Sequence, residues 1–292
     1  MTEKIFLKNP YLREIDGRVV NKKYVNNKYY ITLNRTIFYP NLVGGQPRDK
    51  GTINGIEVVE VFEENGEIIH VLNDNIYSDK VHLSIDWNNR FDLMQQHTGQ
   101  HLLSSVFYKL YGAKTIGFYI SHDYVYIDIT LKKINCEIIK RVEEFTNKII
   151  FSNFDIKTYV ISRSHIDKLP LSKIPDNDSD IRIVEIDGID FSPCCGTHHR
   201  STGEIGLIKI RNWKRYQENS RIEFLCGSRA LKDYSEQTNT IKNILEFLSC
   251  EETNVESIIK NLYYEKKELE LENNLLKKEL SKYKNQNNNK KT

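Results

Sequence analysis

The chain has 292 residues, 39% of them hydrophobic and 28% charged, enough for two compact domains plus an extension. A formal net charge of +2 does not mark a bulk nucleic-acid binder, so any basic surface must be local. Five scattered cysteines suggest no disulfide framework, and no segment reads as a signal peptide or as a span of ~18 apolar residues, so a cytoplasmic protein with no membrane contact is expected.

Residues 1–88 read as strands. "YYITLNRTIFYP", "GTINGIEVVEVFEENGEIIHVLND" and "KVHLSIDW" are β-branched and aromatic runs separated by turn residues, a spacing that predicts a small β-barrel. Asn65-Gly66 marks the tip of a hairpin. The pattern changes at Trp87. Leu93, Met94, Leu102, Leu103, Val106, Phe107 and Leu110 recur at helical spacing, and Gly112 is a natural stop. A strand, a charged helix ("KINCEIIKRVEEFTNKIIF") and further strands ("FDIKTYVIS", "IRIVEIDG", "IGLIKIRNW", "SRIEFLCG") follow. The fold class is therefore α+β: a barrel over 1–88, then a domain over 89–240 with helices on an antiparallel sheet.

Residues 241–292 form a third region. Thr253 and Glu256 fit a capping box. Val255, Leu262, Leu269, Leu276 and Tyr283 share one heptad position, with Ile259, Lys266, Asn273 and Leu280 at the other. That seam suits a coiled coil and hence a homodimer through this helix; the other reading is one long helix on its own domain. The end, "KNQNNNKKT", reads as disordered.

The chemistry concentrates in "SPCCGTHHRSTGEIG", which packs Cys194, Cys195, His198 and His199 into one loop. Partners lie in the helix after Trp87, where "HTGQH" puts His97 and His101 on one face, one turn apart. Alone, such a pair is as readily a polar helix face. It is not HExxH, since Thr98 and Gly99 follow the first histidine and no general-base Glu stands between the ligands. Together with a cysteine and a histidine from the loop it makes a His₃Cys set, the borderline-soft donors that suit Zn²⁺. Cys194/His198 and Cys195/His199 repeat one spacing, and neighbouring side chains diverge, so one pair binds. The leftover cysteine would pack as a small buried group, or act as a nucleophile beside a histidine base; the leftover histidine would cap or meet a substrate phosphate.

These residues resemble a known family. "HTGQHLLS" with "CCGTHHRSTGEIG" is similar to the editing domain of alanyl-tRNA synthetases and to the free-standing alanyl-tRNA editing proteins. "FYPNLVGGQPRDKGTI", "VHLSIDWNNRFDLMQQHTGQHLL" and "SRIEFLCGSRALKDY" extend the resemblance, in the same order, over roughly residues 5 to 240. It implies a barrel followed by a zinc-containing editing domain, and hydrolysis of the ester that joins serine, or glycine, to alanine tRNA. His97, His101, Cys194 and His198 fall on the family's zinc ligands, and Thr98 and Gln46 on its pocket. Cys195 departs from the glycine usual in the synthetases, and the sequence runs after the helix into Asn/Lys-rich residues where the longer free-standing editors often carry a further domain, so that domain is expected to be absent or not included.

The chemistry of such an error is clear: an alanine site cannot strongly reject serine, so a second, hydrolytic sieve is needed. The zinc would be catalytic, or would only order the pocket, since four protein ligands describe closed sites. Thr98 and Gln46 are the candidates for the serine hydroxyl. Lys209, Arg211, Lys214, Arg215 and Arg221, with Trp213 and Tyr216 among them, are the candidates for the tRNA acceptor end. The rival readings are a non-catalytic zinc-stabilised tRNA-binding module and a coiled-coil interaction protein.

Overall fold

A computed structural model describes residues 1–41, 43–121, 124–168 and 180–288. Residues 1–231 form one compact unit and 232–292 a second. The expected boundary at residue 88 is therefore a division between two hydrophobic cores inside one unit, not between two separate bodies.

The first core lies inside the N-terminal strands. β1 (Glu3–Lys4) and the short helix α1 (Ile5–Lys8) lead into β2 (Glu14–Val25), β3 (Lys28–Leu33), β4 (Arg35–Thr36), β5 (Gly51–Ile53), β6 (Ile56–Glu64), β7 (Glu67–Leu72) and β8 (Lys80–Ile85). Six of these close on one another in the order β2-β3-β7-β6-β5-β8. Ile31, Leu33, Val58, Val61, Ile68, Leu72 and Leu83 are buried together in one apolar core. The β6–β7 hairpin turns at Asn65-Gly66, both with positive φ (51° and 80°), as a tight primed turn requires.

The second core belongs to the α+β part. Helix α2 (Trp87–Tyr111) starts at Asp86, whose side chain accepts the Asn89 N–H, and stops at Gly112 in the left-handed conformation (φ 64°). It is buried on almost every side, from Leu93 through Leu103. Strands β9 (Thr115–Ile120) and β10 (Val125–Ile129), helix α3 (Cys136–Ser152), and strands β11 (Ile156–Ile161), β12 (Ile181–Ile186), β13 (Asp190–Pro193), β14 (Ile208–Tyr216) and β15 (Asn219–Cys226) complete it. They form two antiparallel sheets, β14-β15-β10-β9 and β11-β12-β13. Gly99 lets α2 press onto β15: a Cβ there would stand 2.2 Å from Cys226 Sγ.

A buried ion pair ties the cores together. Arg90 of α2 donates through Nε (2.8 Å) and Nη2 to the Asp49 carboxylate, and through its terminal nitrogens to the carbonyls of Pro10 and Ile37. Both side chains are fully buried. Gln46 to Thr197 and Tyr11 to Glu204 join the two parts as well.

In the second unit, α4 (Gly227–Leu248), which begins in the first, is followed by α5 (Val255–Asn288). The first turn of α5 closes through the Ile258 N–H to Asn254 carbonyl bond, so Asn254, not Thr253, stands directly before the first helical residue; Glu256 pairs with Lys260. The helix continues to Asn288, so the first part of the tail expected to be disordered is helical; residues 289–292 lie outside the described residues.

Candidate metal centre

The four donors implied by the resemblance come together, and of the two loop pairs with the same spacing it is Cys194 and His198 that join the helical histidines. One donor atom from each of His97, His101, Cys194 and His198 lies within 4.8 Å of all the others. Cys194 Sγ is 3.5 Å from His97 Nε2 and 3.2 Å from His198 Nε2. A tetrahedral cation with bonds of ~2.0–2.3 Å holds its donors about 3.5 Å apart, so the cluster fits such an ion. His101 Nε2 supports the fit independently, being buried and without a hydrogen-bond partner.

Each histidine is aimed by its other nitrogen. His97 Nδ1 donates to Gln46 Oε1 at 2.9 Å, and His198 Nδ1 to Thr98 Oγ1 at 3.3 Å. His101 Nδ1 faces the Asp190 carboxylate at 3.8 Å. A ligating imidazole usually has its second N–H held in this way, which fixes the tautomer and leaves Nε2 for the metal. Burial lowers the affinity of all three rings for protons, His101 down to about 4, helped by neighbouring positive charge; they stay neutral, which is the ligating form. Burial pushes the Cys194 thiol up to about 12, so a thiolate there needs a cation beside it.

The loop after β13 is held from three directions. The Arg182 Nη1 donates to the carbonyls of Cys194 (2.7 Å) and Gly196 (3.1 Å), and the Cys194 N–H returns to the Arg182 carbonyl (3.1 Å). Gln46 binds Thr197 twice, donating from Nε2 to its hydroxyl (2.9 Å) and accepting its N–H at Oε1 (3.1 Å). Gly196 is required because the His97 ring lies on it: a Cβ would come 2.1 Å from His97 Cε1. Gly45, with φ 75° and the Phe118 ring 2.5 Å from where a Cβ would sit, lets the Gly-Gly-Gln turn reach this loop.

Other expected site residues land differently. Gln46 and Thr98 are fully buried, and their polar atoms are engaged with ligands and loop. They stand behind the metal donors, as orienting groups. Cys195, expected to pack inside if it were not a ligand, is exposed. His199 is buried against Phe91, with Nδ1 near Tyr11 Oη (3.3 Å) and Glu204 (3.5 Å) and Nε2 unpartnered. Of the basic residues, Lys209 pairs with Glu143 (2.8 Å), Lys214 with Glu223 (3.0 Å) and Arg215 with Glu218 (3.3 Å), all at exposed positions. Arg211 is exposed and also has a partner. Arg221 is committed to the sheet: it grips Asp128 with two 2.8 Å bonds between the rings of Tyr126 and Tyr216.

Sequence reasoning missed Arg182 and Asp190. Arg182 keeps a buried Nη2 without a hydrogen-bond partner, next to the loop that carries two of the donors. Burial raises Asp190 to about 6. Neither carries a motif; each is one polar residue in an ordinary strand.

Comparison with known proteins agrees with this geometry. Residues 181–223 match the family described as the threonyl and alanyl tRNA synthetase second additional domain, a stretch that contains Cys194 and His198. Over 255 residues the chain is 41% identical to an alanyl-tRNA editing protein (AlaX-L) of Pyrococcus horikoshii, covering 81% of this chain and 61% of that one. The chain is a relative of the alanyl-tRNA editing proteins. A mouse alanyl-tRNA editing protein is 31% identical over 245 residues, 82% of this chain and 59% of its own length. An alanine–tRNA ligase of Ignicoccus hospitalis is 33% identical over 288 residues, which is 92% of this chain and 30% of the ligase. The chain thus spans about three fifths of the editing-protein relatives and under a third of the ligase.

Proposed function

We propose that this chain hydrolyses the ester linking a wrongly attached amino acid to alanine tRNA, serine foremost and glycine second. The observation that carries the reading is the four-donor cluster, with each histidine oriented by a second partner, in a relative of alanyl-tRNA editing proteins. Water adds to the ester carbonyl carbon, the bond to the ribose oxygen breaks, and the ribose hydroxyl and the free amino acid leave. The His₃Cys donor set suits zinc, which when bound supplies positive charge that polarises an ester or anchors its amino group.

The chain's own residues have these parts. His97, His101, Cys194 and His198 would hold the ion. Gln46 and Thr98 act through the ligands, because their polar atoms already serve His97, His198 and the loop. The buried, unpartnered Nη2 of Arg182 would be the donor to an ester carbonyl or its developing negative charge. Arg215 can exchange the exposed Glu218 for an RNA phosphate at small cost, since exposed pairs contribute only ~0–1 kcal/mol, whereas Lys209 and Lys214 are exposed but pair with the largely covered Glu143 and Glu223. Arg221 cannot do so without giving up its place in the sheet.

A second reading has one observation in its favour. Four protein donors leave no open position, as in sites where zinc only holds the fold, so the chain would be a tRNA-binding module. One assay separates the two: incubate the protein with Ser-tRNA and Ala-tRNA of the alanine acceptor, with and without chelator. Hydrolysis predicts release of serine, little release of alanine, and loss of activity with the metal. Intact Ser-tRNA at every protein concentration, with binding retained, would leave only the module.

The C-terminal helix supports pairing with a second copy. Leu262, Leu269 and Leu276 share one heptad position and are 48%, 64% and 56% exposed on the single chain. Light scattering on the parent and on Leu269→Lys should give a dimer and a monomer; a monomeric parent ends the pairing idea.

A further inference from the structure

The outward face of β2 and β8 carries three cross-strand rungs: Glu14 opposite Ser84, Asp16 opposite His82, and Arg18 opposite Lys80. The first two are complementary. Ser84 Oγ donates to Glu14 at 3.3 Å, and His82 Nδ1 meets Asp16 Oδ1 at 2.9 Å. The third sets two cations directly across the ladder, an arrangement that costs stability. Among the described residues no carboxylate pairs with either side chain. A like-charged rung beside two satisfied ones calls for an anion that the chain itself does not supply.

The surroundings are built from donors. Arg18 and Lys80 line a cleft of about 500 Å³ with Arg35, Asn34, Asn54 and the Asp16–His82 pair. Arg35 uses only Nε within the fold, donating to the Asp16 carbonyl at 2.7 Å, so its terminal nitrogens stay available. Asn34 Oδ1 accepts the Arg18 N–H and Asn54 Oδ1 accepts the His82 N–H, each at 2.7 Å. Both carboxamides have therefore spent their oxygen on backbone and keep their NH₂ groups as donors. The one carboxylate in the cleft, Asp16, already has His82 as its partner. Three cations and two amide donors around one concavity suit phosphate oxygens.

We propose that this cleft holds a phosphodiester of the RNA backbone, a contact on the barrel additional to the metal centre. The choice of RNA over a free phosphate rests on the proposed tRNA substrate.

The test is binding of uncharged alanine tRNA to the full chain by fluorescence anisotropy, between 50 and 200 mM salt. Each phosphate contact contributes roughly 0.7–0.9 to the slope of log affinity against log salt, so Arg18→Ala/Lys80→Ala, which empties a cleft holding one phosphate, should lower that slope by about 0.7–0.9. The charge-matched double variant Lys23→Ala/Lys28→Ala, on the same barrel but outside the cleft, should change it by less than half as much. Because Arg18→Ala relieves repulsion, the melting temperature should hold or rise, which separates lost contact from lost fold. Equal slopes for the two double variants would make the effect one of bulk charge and overturn the cleft. A parent stabilised by inorganic phosphate through Arg18 and Lys80, with an unchanged tRNA slope in the variant, would assign the cleft to a small anion and overturn the RNA contact. Binding needs no turnover. A chain that deacylates normally but keeps its slope in the variant loses only this inference, whereas one that binds normally without deacylating loses only the esterase reading.

Discussion

Gly196→Ala tests the metal centre at the point where it is tightest. A Cβ at residue 196 would lie 2.1 Å from His97 Cε1, 2.4 Å from Nδ1 and 3.3 Å from Gln46 Oε1. Carbon atoms rest ~3.5 Å apart, so the His97 ring or the loop must shift by about 1.4 Å. The backbone itself accepts alanine, because Gly196 is not among the positive-φ residues. The shift is several times the ~0.2 Å latitude of a ligand distance, and it also pulls His97 from Gln46. Loss of an orienting partner alone costs 10–100-fold in metal affinity; displacing the ligand as well should cost about 100-fold or more, some 2.7 kcal/mol. Competition with a chromophoric chelator measures this directly. Cys195→Ala, next door and exposed, is the control and should bind metal like the parent. If Gly196→Ala binds metal within threefold of the parent, the packing of His97 on this loop does not set the ligand geometry and the reasoning fails.

Three further outcomes follow from the same contacts. Gln46→Ala removes the acceptor for His97 Nδ1 and the brace on Thr197, so metal affinity should fall 10–100-fold in the same titration; an unchanged affinity would move Gln46 out of the metal centre. Arg90→Ala leaves the Asp49 carboxylate buried and unpaired, and urea denaturation should show a loss of ~3–5 kcal/mol, partly recovered by adding Asp49→Ala; a loss below ~1 kcal/mol contradicts the junction described. His70, enclosed in the barrel with Nε2 on the Thr36 hydroxyl (2.8 Å) and Nδ1 on the Ile31 carbonyl (3.2 Å), is lowered from 6.5 to about 4, chiefly by burial. The folded state therefore resists protonation that the unfolded chain accepts. This contribution is complete above pH 6.5 and is lost as pH falls toward about 4, reaching roughly 3 kcal/mol at 1.36 kcal/mol per unit. The difference in unfolding free energy between the parent and His70→Gln should show that window; a flat difference from pH 7 to 4 would refute it.

Local patterns decided much of this protein. Helix α2 could be read from its period and Gly112, the hairpin from Asn65-Gly66, and the helical half of the metal donors from spacing, while the family resemblance chose between the two equally spaced loop pairs. Such features depend on neighbours in sequence, where spacing alone fixes which side chains share a face. The tertiary structure decided what depends on distant partners. It placed Gln46, from a turn 51 residues before His97, against that ring, and brought Asp190 and Arg182 to the same centre. It showed Gln46 and Thr98, expected at the substrate, to brace the ligands and their loop as well. It gave Lys209, Lys214, Arg215 and Arg221 carboxylate partners that no basic run reveals. It also set Arg18 across from Lys80, since register between β2 and β8 follows from barrel closure and not from either strand alone. The sequence determined which atoms could bind a metal. Only the fold decided what holds those atoms in place, because a hydrogen bond between remote residues leaves no period to read.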